Sequence, residues 1–196
     1  LKNPLTSISL ISSTLKNHFE KYSEEDFRKR IGKIETASER MQEIIKKLLD
    51  IEAIESGKFS LKIKPQNIVP VLKSSIDDNE HLAVKKNIKL SYKLPSADII
   101  CEADTLALSE VFDNLISNSI KYSPFNTEVE IEIREEDKDV GLYFKDNGPG
   151  ISKENLPRLF KKFSTAGSKT TDGESSTGLG LSIVKKLITG MKGDVF

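Results

Sequence analysis

The sequence predicts an α+β chain of two domains. An N-terminal antiparallel helical hairpin over residues 1–57 precedes an α/β sandwich over residues 58–196, with a mixed sheet and helices on one face. Three observations carry this. Apolar residues recur at spacings of three and four through the first part of the chain. After Gly57, short segments alternate apolar with polar residues, as half-buried strands do. Helix-like runs are interspersed among those strands, the order expected when helices cover one face of a sheet.

In the first helix, Leu1, Leu5, Ile8, Leu15 and Phe19 draw one apolar stripe. The run from Lys21 to Asp26 interrupts it, and Ser23 is placed to cap the next helix, with acidic residues in the first turn that complement its dipole. The second helix repeats Phe27, Ile31, Ile34, Ser38, Met41, Ile45 and Leu48 as a heptad seam. One hairpin cannot bury both stripes, so pairing with a second copy as a four-helix bundle is expected. Phe59, Leu61 and Ile63 then predict a strand closed by Pro65, and Ile68 to Lys85 a helix. A strand near Ile88 to Leu94 and a short one at Ile99 to Cys101 lead into a helix from Asp104 to Tyr122. Val129, Ile131 and Ile133, then Val140, Leu142 and Phe144, mark two more strands. Lys161 to Thr177 is nearly all Ser, Thr, Gly and charged residues and reads as a mobile loop carrying Lys169. A last helix spans Gly178 to Thr189, and Val195 and Phe196 would begin another strand.

Thirty basic and thirty acidic residues give zero net charge, so bulk electrostatics points to neither nucleic acid nor an anionic membrane. The lone cysteine, Cys101, beside two isoleucines, excludes a disulfide framework and an all-cysteine metal site. It fits a reducing compartment and reads as buried and inert. No run approaches the ~20 apolar residues of a membrane span, and no signal peptide opens the chain. The chain begins mid-helix without Met and reads as a piece of a longer, cytoplasmic portion. Any membrane contact would run through parts absent from it. His18 and His81 read as ordinary surface residues.

Three motifs can carry chemistry. In Glu110 to Tyr122, the residues Asn114, Asn118 and Lys121 are spaced by four and three, which places them on one helical face. An amide oxygen is a hard ligand suited to Mg²⁺, and a lysine one turn away can meet a phosphate; a solvated polar face would look the same. Asp146-Asn147-Gly148-Pro149-Gly150-Ile151 follows a strand, with glycines that admit close backbone approach and a carboxylate able to accept from an exocyclic amine. Alone it is also an ordinary turn. Ser176-Thr177-Gly178-Leu179-Gly180-Leu181 opens a helix, where free N–H groups form a phosphate cradle.

In this order and at these separations, the three motifs resemble the N, G1 and G2 boxes of sensor histidine kinases, within the GHKL superfamily of gyrase, heat-shock chaperone, kinase and mismatch-repair ATPases. Leu159-Phe160-Lys161-Lys162-Phe163 resembles the F box that hinges an ATP lid. Leu1-Lys2-Asn3-Pro4-Leu5-Thr6 resembles the second half of the H box, which places the phosphoacceptor histidine two residues before Leu1. The competing reading of Asn3-Pro4, the weaker of the two, is a helix-start signal.

The resemblance implies the GHKL (Bergerat) ATP-binding fold, with ATP and Mg²⁺ as the ligands. Asn118 would coordinate Mg²⁺, Lys121 and Tyr122 would contact phosphate and nucleotide, and a buried Asp146 would read adenine. Gly148, Gly150, Ile151, Phe163, Thr177, Gly178, Leu179, Gly180 and Leu181 would complete the nucleotide site. Asn114 stands where ATP-hydrolysing relatives typically carry a water-activating glutamate; an amide cannot act as a general base, which favours transfer to a side chain over hydrolysis. Asn3 would position water for dephosphorylating the partner. The expected activity is transfer of the γ-phosphate to histidine and then to an aspartate of a response-regulator receiver, within a homodimer. A GHKL-type ATPase clamp and a non-catalytic ATP-binding dimer module are the alternatives.

Overall fold

The computed structural model describes residues 2–55, 60–95, 97–136, 139–164, 170–171 and 177–196. The chain forms two compact units, Leu1–Phe59 and Ser60–Phe196. Phe59, Lys169, Ser176 and most of the glycine- and serine-rich loop expected between Lys161 and Thr177 lie outside the described residues.

The first unit is a hairpin of α1 (Lys2–His18) and α2 (Glu24–Glu55), with a 3-10 turn at Phe19–Lys21 between them. Ser23 caps α2 as its sequence position predicts: its Oγ accepts from the Asp26 N–H at 3.1 Å and donates to the Asp26 carboxylate at 2.8 Å. Phe19 and Phe27 meet edge to face across the turn, with centroids 5.6 Å apart. The buried side chains are Leu15, Ala37 and Ile44. Ile45 is 44% exposed, and Leu5, Leu10 and Leu49 are exposed as well. The predicted seam therefore resolves into two adjoining stripes. Ala37 and Ile44 close the hairpin, whereas Ile45 belongs to a stripe that α1 does not cover. Apolar residues at both 44 and 45 satisfy either register of a three–four repeat, so periodicity alone does not separate them.

The second unit begins with β1 (Lys64–Asn67), which pairs antiparallel with β3 (Ile100–Ala103). The first strand thus lies later than Phe59 to Ile63 predicted, and Pro65 sits inside it, opposite Glu102. A two-stranded ladder tolerates this because alternate N–H groups of each strand point away from the partner. Asn67 caps α3 (Ile68–Lys85), accepting from the Val69 N–H at 3.2 Å. The main sheet has the order β2-β4-β5: β2 (Lys89–Lys93) is parallel to β4 (Glu128–Glu135), and β4 is antiparallel to β5 (Val140–Lys145). Helix α4 (Thr105–Tyr122) packs between α3 and α5 (Gly180–Gly190).

Val129, Ile131 and Ile133 of β4 are buried, as are Leu72, Ile76, Val111, Phe112, Ile116, Ile120, Ile183 and Val184 of the helices. Burying each such side chain contributes about 1.5–3 kcal/mol. Cys101 is half-buried rather than buried, because β3 is one strand of a two-stranded ladder, and burial still pushes its thiol pKa up. Val195 and Phe196 join no strand; Phe196 is fully exposed. No helix among the described residues is long and apolar enough to cross a membrane.

Candidate functional site

Helix α4 sets the geometry. Asp104 caps it: Oδ1 accepts from the Leu106 and Ala107 N–H groups at 2.9 and 3.0 Å, while Oδ2 accepts from the Lys62 N–H at 2.7 Å. Burial raises the Asp104 pKa, but these three backbone donors outweigh it and hold the carboxyl below its ordinary value.

The apolar side of α4 is fully packed, and that side orients its polar one. Asn114 is buried, and its Nδ2 donates to the carbonyl and carboxylate of Glu110 at 2.7 and 2.9 Å. Both Asn114 donors are thereby occupied, which leaves Oδ1 as the remaining polar atom of the amide. A Cβ placed on Gly180 would come within 2.6 Å of that oxygen and 3.8 Å of Asn118 Nδ2. The start of α5 thus lies directly on the two asparagines, and any larger residue at 180 would have to displace the Asn114 amide.

Gly148 and Gly178 make similar approaches. A Cβ on Gly148 would lie 2.8 Å from Asp146 Oδ1 and 3.2 Å from the carbonyl of Tyr122, the last residue of α4. The Asp146 carboxylate accepts from the Gly148 N–H at 2.8 Å, and the Asn147 N–H donates to Ser123 Oγ at 3.3 Å. Gly178 has φ +66°, and a Cβ there would meet the backbone of Phe163 and Ser164 at 2.6–2.8 Å. Gly150 also has a positive φ, +70°.

The structure therefore brings Asn114, Asn118 and Tyr122 together with Asp146, Gly148, Phe163, Gly178 and Gly180. Two placements differ from expectation. Asp146 is exposed rather than buried. Leu179 sends its side chain wholly into the core, leaving its backbone toward the site, where its N–H donates to Thr177 Oγ1 at 3.3 Å. Ile151 and Phe163 are exposed and Leu181 half-buried. Asn3 belongs to the other unit, and its side chain lies outside the described residues.

Lys86, Ser123 and Thr171 also join this constellation, although no motif marks them. The Lys86 ammonium, buried, donates to the carbonyls of Ile120 and Lys121 at 3.0 and 2.9 Å and to Thr171 Oγ1 at 2.7 Å. In sequence Lys86 is indistinguishable from Lys85 beside it, which is exposed.

As to a metal, the described residues hold no group of three His, Cys, Asp or Glu side chains able to bind one. The neutral side-chain amides of Asn114 and Asn118, beside Gly180 at the start of α5, are donors that would suit a hard cation arriving with a polyphosphate rather than one caged by the protein.

Fold and site together define a GHKL-type ATP-binding domain preceded by a helical hairpin. Comparison with known proteins agrees. The family model described as histidine kinase-, DNA gyrase B-, and HSP90-like ATPase matches residues 103–196, and that of the His Kinase A (phospho-acceptor) domain matches residues 1–57. The chain is 29% identical to sensor protein KdpD of Clostridium acetobutylicum over 195 residues, 100% of this chain and 21% of that protein. It is similar in structure to histidine kinase AdeS of Acinetobacter baumannii, with a TM-score of 0.77 at 22% identity, covering 100% of this chain and 88% of the other. Histidine kinase ThkA, solved in complex with response regulator protein TrrA, gives a TM-score of 0.75 at 25% identity, covering 98% of this chain and 52% of the other. The chain belongs to the sensor histidine kinases of two-component systems. It spans between about a fifth and a third of the length of the curated relatives it matches.

Proposed function

We propose that this chain is the catalytic core of a protein-histidine kinase that binds Mg-ATP and passes the γ-phosphate to a histidine on the dimerisation helices, from which an aspartate of a response regulator receives it. The observation that carries this reading is the seating of Gly180 on Asn114 and Asn118. It sets the start of α5, with its helix-end N–H groups, against the Asn114 amide oxygen and the Asn118 amide, so phosphate and its cation would be met from two sides.

Bound Mg²⁺ would neutralise phosphate charge. The chain's own residues supply the rest: Asn118, with Asn114 beside it, offers the metal an oxygen, Lys121 meets phosphate, and Asp146 accepts from the adenine amine. Asn114, an amide held by Glu110, offers no base to activate water. Phosphoryl transfer then rests on positioning and charge neutralisation. The exposed apolar side chains Leu5, Leu10, Ile45 and Leu49 support a homodimer through the hairpin. Asn3, at the second half of the H-box pattern, is assigned to positioning water for dephosphorylation of the regulator.

Calorimetry with a non-hydrolysable ATP analogue tests the site. Binding should require Mg²⁺, and Asn118→Ala should weaken it at least about tenfold, ~1.4 kcal/mol. Unchanged affinity in that variant would remove Asn118 from the metal role.

A further inference from the structure

Lys86 is among the most completely buried side chains of the chain, at 1% exposure. Burying an ammonium costs several kcal/mol unless its protons are all received. Among the described residues the ammonium has three acceptors: the Ile120 carbonyl, the Lys121 carbonyl and the Thr171 hydroxyl. The Phe125 ring lies 5.9 Å from Nζ. Two of these acceptors are last-turn carbonyls of α4, which carry the partial negative charge of the helix end.

That turn is no ordinary helix end. It bears Lys121 and Tyr122, one turn on from Asn118, and the Tyr122 carbonyl packs against Gly148. The third acceptor belongs to the segment between the two glycine motifs. Thr171 fastens to the same turn independently: its N–H donates to the Lys121 carbonyl at 3.2 Å, and its Oγ1 lies 3.2 Å from that carbonyl and 2.7 Å from the Ser123 carbonyl. The Lys86 backbone is itself held, since its carbonyl accepts from the Asn126 N–H at 3.1 Å and Asn87 Nδ2 donates to Asn126 Oδ1 at 2.8 Å. A helix end needing only a cap could be served by water or by a lysine of its own last turn. A cation brought from the α3–β2 turn, 34 residues earlier, adds a rigid link to Thr171.

We propose that Lys86 is a positioning residue of the nucleotide site: its buried ammonium locks the last turn of α4 and Thr171 into one unit, so that the phosphate-facing side chains of α4 are presented to the nucleotide in fixed register. The proposal rests on the nucleotide-binding reading above.

Thr171→Val keeps the shape of an exposed side chain and removes only the hydroxyl, so the fold is retained; Lys86→Met removes the charge. With Mg²⁺ and the ATP analogue, each variant should lose about fivefold or more in affinity at a temperature where thermal unfolding shows it folded. The double variant should lose clearly less than the sum of the two single losses, since both changes break the link between Lys86 and Thr171. A cap that serves stability alone would lower the melting temperature of Lys86→Met and leave the affinity of both folded variants at the wild-type value. That result overturns the proposal and leaves the nucleotide site standing. Additive losses in the double variant overturn the shared link. Failure of the wild-type chain to bind the analogue overturns both readings.

Discussion

Asn114 carries the residue-scale argument. Glu110 occupies its amide nitrogen, its Oδ1 remains the outward-facing acceptor, and the approach of Gly180 to that oxygen leaves no room for a methyl group. Gly180 opens α5, where alanine is favoured over glycine by up to about 1 kcal/mol. Gly180→Ala should therefore leave the melting temperature nearly unchanged while displacing Asn114. The expected cost is about tenfold in affinity for the Mg-ATP analogue, ~1.4 kcal/mol by calorimetry. Wild-type affinity in a stable Gly180→Ala variant would show that the contact between α5 and the asparagines does not shape the site.

At the scale of elements, α4 binds the site to the core. Phe112, Ile116 and Ile120 face inward, and the amide and lysine positions emerge on the other side because the helix repeats every 3.6 residues. Its N-terminus hangs on Asp104, which receives two N–H groups of the first turn and one from Lys62. Asp104→Ala should cost about 2 kcal/mol in urea unfolding, the lost cap plus an orphaned backbone donor. The pH dependence has a definite sign. The native carboxyl titrates below its ordinary value, so its contribution is complete above the unfolded pKa and disappears as pH falls through the lower native one. The gap between wild type and Asp104→Ala should accordingly close in acid and be full at neutral pH. A gap independent of pH would mean that the side chain's packing, not its charge, stabilises the helix start.

At the scale of the whole molecule, the hairpin exposes Leu5, Leu10, Ile45 and Leu49, apolar surface that a partner would cover. Ile34 is half-buried within the hairpin, so a charge there would disturb the hairpin itself; Ile45, 44% exposed, is the cleaner probe. Ile45→Glu should convert a dimer to a monomer by light scattering, because an uncompensated charge inside a bundle costs several kcal/mol. Helicity and nucleotide affinity should be retained. A wild-type chain that is already monomeric would refute the bundle and leave the nucleotide site untouched.

Much of this was legible in the sequence, for physical reasons that concern neighbours along the chain. The spacing of Asn114, Asn118 and Lys121 follows from helical geometry. The cap at Ser23 is a short polar side chain before an acidic first turn, and the alternation in β4 follows from the pleat. Periodicity failed where it was degenerate, at Ala37 and Ile44 against Ser38 and Ile45, and at Pro65, which ends a strand only if the strand needs every N–H. What the tertiary structure alone decided involves residues far apart in sequence: the seating of Gly180 on Asn114, of Gly148 on Tyr122, and above all the burial of Lys86. Lys85 and Lys86 are identical in chemistry and adjacent in sequence, yet one is solvated and the other sits against the end of α4. Local pattern sets which way a side chain points from its own element; only packing sets what it finds there.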